Sequence, residues 1–142
     1  MATTPLFIGS SNIGFVRPIS ALDASDGTGV LGSSIYNLVT AAANGTRVDR
    51  ISITNSQATY ASSAALVVRF YLTDTSGSNA RLIDEILMPA ITLAKTASTL
   101  GPANALYFPG GLFLKSGQFL RCSVSVFSNQ QQVDIVAFGG DM

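Results

Sequence analysis

Residues 64–73 alternate strictly: Leu66, Val68, Phe70 and Leu72 share one parity, and Val67, Arg69, Tyr71 and Thr73 share the other. A period of two sustained over ten residues matches the pleat of a β-strand and cannot line one side of an α-helix. The pattern recurs. Leu120, Cys122, Val124 and Val126 oppose Arg121, Ser123 and Ser125, while Val133, Ile135 and Ala137 oppose Asp134, Val136 and Phe138. The first member of each pair of sets is expected to face a core.

Thirteen glycines and five prolines divide the chain into short segments rich in Val, Ile, Thr, Phe and Tyr, the signature of an all-β domain. Asn44-Gly45 lies between apolar runs at residues 34–43 and 46–55. It predicts a two-residue hairpin, because both residues tolerate the positive φ of a type I′ turn. Further strands are expected at residues 12–18, 80–88, 105–108 and 112–114, with 89–100 as loop. About eight antiparallel strands in two layers make a single-domain β-sandwich, and the jelly roll is the expected arrangement. Residues 1–20 read as an N-terminal arm or edge segment, and residues 21–142 as the sandwich.

The surface is unusual for such a domain. Charged residues are 11% of the chain against the roughly 25% typical of soluble domains, and eight basic residues balance eight acidic ones. Mean hydropathy is +0.40. Ser, Thr, Asn and Gln contribute 41 of 142 residues, so surface polarity comes from neutral hydrogen-bonding groups. So little charge favours association, and the chain is expected to work in contact with other chains. Scattered basic residues argue against nucleic acid, whose phosphates select basic clusters. No stretch approaches the roughly 20 apolar residues of a membrane helix. The first residues lack the basic start of a signal peptide, which points to synthesis in a cytoplasm.

Histidine is absent, which removes the Ser-His-Asp triad, the Cys-His nucleophile and the His-ligated zinc site. No enzymatic activity, cofactor or metal is expected. Gly27-Thr28-Gly29-Val30-Leu31-Gly32 matches G-x-G-x-x-G, with Asp49 downstream. That fingerprint needs a buried strand before the glycines and a helix after them; here polar residues precede and a strand pattern follows, so a loop is expected. Asp23 and Asp26 fall short of a calcium loop. Asp84 and Glu85, adjacent on a strand, point to opposite faces and cannot share acid–base work. Lys115-Ser116-Gly117 reads as a turn. Cys122 reads as an inert core thiol, and Asn44-Gly45-Thr46 as turn chemistry rather than a glycosylation site.

Four segments together carry a resemblance: Ala43-Asn44-Gly45-Thr46-Arg47-Val48-Asp49-Arg50-Ile51, Arg69-Phe70-Tyr71-Leu72, Leu82-Ile83-Asp84-Glu85-Ile86 and the terminal Ala137-Phe138-Gly139-Gly140-Asp141-Met142. From about Gly27 onward the chain resembles the small β-sandwich virion proteins of tailed bacteriophages, in the head decoration or cement class. The resemblance implies a jelly-roll homotrimer on the outer surface of the capsid, binding the major capsid protein and stabilising contacts between its subunits. The candidate capsid contacts are Pro5, Leu6, Phe7, Ile8, Phe15 and Arg17. Those for the subunit interface are Arg47, Asp49, Val67, Arg69 and Tyr71. The competing expectation is a tail or fibre module that binds host-surface glycan through Tyr60 or Tyr107.

Overall fold

The computed structural model describes residues 10–19, 21, 34–57, 64–90, 103–126 and 131–142. They contain eight strands: β1 (Ser10–Val16), β2 (Tyr36–Thr40), β3 (Thr46–Gln57), β4 (Leu66–Thr73), β5 (Ala80–Met88), β6 (Ala103–Leu114), β7 (Phe119–Val124) and β8 (Gln131–Asp141). No helix occurs among the described residues. The strands form two antiparallel four-stranded sheets, β1-β8-β3-β6 (sheet 1) and β2-β7-β4-β5 (sheet 2). The protein is an all-β sandwich. Pairing is nested: first strand with eighth, second with seventh, third with sixth, fourth with fifth.

The core lies between the sheets, where the alternating patterns place it. Sheet 1 contributes Ile51, Ile53, Ile135 and Ala137, and sheet 2 contributes Val68, Phe70, Leu120 and Cys122, each at most 1% exposed. A fully buried Val, Leu, Ile or Phe side chain stabilises the fold by about 1.5–3 kcal/mol, so these facing rows supply the main driving force. At one margin the sheets nearly touch. A Cβ on Gly14 of β1 would overlap the backbone carbonyl of Leu38 on β2, so only glycine permits this approach.

Two expectations are corrected. Asn44-Gly45 does not join a hairpin, because β2 belongs to sheet 2 and β3 to sheet 1. The Gly45 amide donates to the Ala42 carbonyl (2.9 Å), closing a four-residue turn with Gly45, at φ +100°, in last place. Asn44 does not take positive φ, so the turn is not type I′ and crosses the sandwich instead of reversing within one sheet. Val126 does not share the core face of Cys122, since β7 ends at Val124 and Val126 is exposed.

The segments expected at 105–108 and 112–114 form one strand, β6, with an interruption. Opposite the single residue Asp49 between Val48 and Arg50, β6 carries Phe108, Pro109, Gly110 and Gly111 between its partners Tyr107 and Leu112. Gly110 and Gly111 both take positive φ. An irregular, proline-bearing stretch on an edge strand is poorly shaped for pairing with another strand.

Candidate functional site

Cross-strand register arranges the outward side chains of sheet 1 in rows. Ile13 lies opposite Phe138, Phe138 opposite Arg50, and Arg50 opposite Tyr107. The next row runs from Phe15 to Val136, Ser52 and Ala105, and beyond it Arg17, Asp134 and Thr54 mark one end. At the other end Phe113 lies opposite Arg47. Ile13, Phe15, Tyr107 and Phe113 are 61%, 60%, 63% and 53% exposed, so a solvent-facing sheet surface is largely apolar where alternation ordinarily sets polar residues.

The charges on this face are paired locally. Arg17 grips Asp134 through two bonds, Nε to Oδ1 at 2.7 Å and a second guanidinium nitrogen to Oδ2 at 3.0 Å. Asp134 shifts the Arg17 guanidinium further above its ordinary range, first by hydrogen bonding and then by charge. Arg47 Nε donates to Asp49 Oδ1 at 2.6 Å, two residues along the same strand. The Arg47 side chain crosses Gly111, where a Cβ would press on it. Arg50 lies over the Phe138 ring, 4.3 Å from its centroid, within the reach of a cation–π contact.

These positions redistribute the sequence-derived candidates. Phe15, Arg17, Arg47 and Asp49 share the outward face of sheet 1, although two were expected to touch a capsid and two a sister subunit. Arg69 and Val67 are on sheet 2, and Arg69 bonds Glu85 across β4 and β5 at 3.2 Å. Tyr71 is corrected: it is fully buried and has no surface left to offer a second subunit. Pro5, Leu6, Phe7 and Ile8 lie outside the described residues, as do Tyr60, the Gly27–Gly32 motif, Asp23 and Asp26. Alternation turns Val136 and Phe138 away from the core but does not gather them with Ile13, because that clustering depends on β1 pairing with β8.

At the turn end of the sandwich Asp74 organises the β4–β5 connection. Its carboxylate accepts from the Ser76 amide (3.0 Å), the Ser76 hydroxyl (2.6 Å), the Ser78 amide (3.0 Å) and the Asn79 side-chain amide. The Ser76 hydroxyl, then the Ser78 amide and Asn79, hold this carboxyl well below its usual range. The loop binds its own carboxylate, which accounts for the residues around it.

Among the described residues no three Asp, Glu or Cys side chains come together as metal ligands. Asp84 accepts the Glu85 amide (2.8 Å) while Glu85 turns to Arg69, so the two carboxylates do separate jobs. Lys115 caps a turn, its carbonyl accepting from the Gln118 amide at 3.0 Å. Cys122 is wholly buried, and burial pushes its thiol far above the ordinary range. No helix among the described residues is long and apolar enough to cross a membrane. Neither a protein-family model nor a curated protein sequence matches this chain.

Proposed function

We propose that this chain is a structural virion protein, a decoration or cement protein that binds the outside of a phage head as a homotrimer and stabilises contacts between major capsid subunits. The observation that carries the reading is the outward face of sheet 1, an apolar and locally charge-paired surface of the kind that marks sites of association. The nested strand order supports reading the sandwich as a jelly roll, and the low charge of the whole chain agrees with a life in contact with other proteins.

The mechanism is multivalent. Three individually weak footprints on neighbouring capsid subunits act at high effective concentration once the first has bound. Binding to the assembled shell and not to separated subunits then stabilises the shell by mass action. The N-terminal region, residues 2–20, is the candidate gripping element, with Pro5, Leu6, Phe7 and Ile8 among its contacts, and no catalytic group is required.

The test adds purified protein to heads that lack it, then follows cosedimentation and resistance to heat and chelator. Saturable binding with raised resistance is expected. Absence of binding overturns the reading, and full occupancy without a gain in resistance removes the cement role. Tyr107, exposed on sheet 1, favours the glycan-binding alternative. Glycan binding by the wild type that is lost in Tyr107→Ala, with head binding absent, selects that alternative.

A further inference from the structure

The outward face of sheet 1 has two unlike halves. Ile13, Phe15 and Val136 form an apolar half on β1 and β8, and Tyr107 and Phe113 project from β6 on the other. We propose that this face is where copies of the chain meet, the β1–β8 half of one copy packing against the β6 margin of the next around a three-fold axis. The inference rests on the homotrimer reading and adds to it the surface that makes the trimer.

Size is the first argument. Four strands about 4.8 Å apart, and some seven residues at about 3.4 Å each, span roughly 20 by 25 Å. A three-fold ring divides this face between two neighbours, so each contact falls below the about 800 Å² that one partner commits to a standard interface and depends on its apolar anchors. Ile13, Phe15, Tyr107 and Phe113 each leave over half their surface in water. At roughly 200 Å² for an aromatic side chain, that is on the order of 400 Å² of apolar area in one place.

Charge is the second. Arg17 is paired with Asp134 and Arg47 with Asp49, while Arg50 covers Phe138. Arg50 keeps its charge, so these groups leave one positive charge on an otherwise paired face, and the partner it fits is largely apolar. A second copy offers such a face, and since the chain has zero formal net charge copies do not repel one another at long range.

Shape is the third. A closed three-fold ring requires contacts between different patches that face different directions, and the twist accumulated over four strands turns the β1 and β6 sides of this face apart. The Tyr107 and Phe113 rings of one copy settle on the Ile13–Phe15 half of the next, with the Tyr107 hydroxyl left at a wet rim.

The experiment measures the solution mass of the full chain by light scattering after size exclusion, for wild type, Phe15→Glu, Tyr107→Glu and Leu87→Glu. Leu87 is 66% exposed but on sheet 2, and controls for added surface charge. Wild type and Leu87→Glu are expected at three copies of 14.7 kDa, about 44 kDa. Phe15→Glu and Tyr107→Glu are expected at the single-copy mass, with β-rich circular dichroism and a cooperative melt showing that they fold. A Phe15→Glu protein that stays trimeric overturns the assignment of this face and leaves the homotrimer intact. A wild-type dimer abolished by Phe15→Glu overturns the three-fold arrangement. A wild-type monomer at every concentration overturns the homotypic contact, and head binding then decides the functional reading separately.

Discussion

Tyr71 and Ser123 meet diagonally across the β4–β7 pair, their hydroxyl oxygens 3.0 Å apart and both residues fully buried. Neither belongs to the core cluster between the sheets. Phe70 and Leu72, on either side of Tyr71, point into that cluster or pack against it, so the tyrosine ring is buried on the other side of sheet 2. A neutral buried hydrogen bond is worth about 1 kcal/mol net. Tyr71→Phe and Ser123→Ala are each expected to lower unfolding free energy by about 1–2 kcal/mol in urea titrations. The double variant should cost less than the sum of the two. Strict additivity would mean that the pair is not coupled.

Asp74 is ionised and satisfied in the native loop, with its carboxyl held below its unfolded value of about 3.9. A depressed native value stabilises the fold above the unfolded pKa, and that contribution is lost as pH falls toward the native one. Asp74→Asn is therefore expected to lower Tm by a constant amount between pH 5 and pH 8, with the gap to wild type closing below about pH 4. A gap that widens in acid would show that the carboxylate does not organise the loop.

Cys122 is buried among Leu120, Val124 and Phe70, and its thiol is harder to ionise than a free one. Because the thiolate is the reactive form, an aromatic disulfide reagent at pH 8 should label native protein orders of magnitude more slowly than protein in denaturant. Rapid labelling of the native state would place the thiol within reach of solvent.

Gly14→Ala puts a methyl group into the Leu38 carbonyl. The backbones of β1 and β2 must separate to admit it, at a cost of about 1–3 kcal/mol. Hydrogen exchange should show faster turnover at β1 amides than at those of β4 or β7. An unchanged melt would mean that this margin is loose.

The strands were legible where alternation marks a core face: β4, β7 and β8 follow from it alone, within three residues at their ends. Asn44-Gly45 misled because its turn signal is local, whereas the choice between reversing in one sheet and crossing to the other is made by distant partners, β7 for β2 and β8 and β6 for β3. Tyr71 was read correctly as pointing away from the core, but parity is silent about whether anything lies above it. The candidate face was half legible. Phe15, Arg17, Arg47 and Asp49 stood out as residues, while their gathering with Ile13, Phe138 and Tyr107 requires the register of four strands drawn from both ends of the chain.

The place of β8 between β1 and β3 has a consequence for synthesis. Strand β1 ends at Val16 and β8 begins at Gln131, so at about 5–20 residues per second a ribosome takes on the order of ten seconds to deliver the strand that joins them. Until then β1 has no neighbour in its sheet, and one side of β3, with Ile51 and Ile53, has no ladder. Among the described strands β8 is made after the other seven and completes sheet 1, so strand edges stay exposed from the synthesis of β1 until that of β8. Recombinant yield should therefore respond to slower growth temperature and to holding chaperones more than to changes in the folded surface.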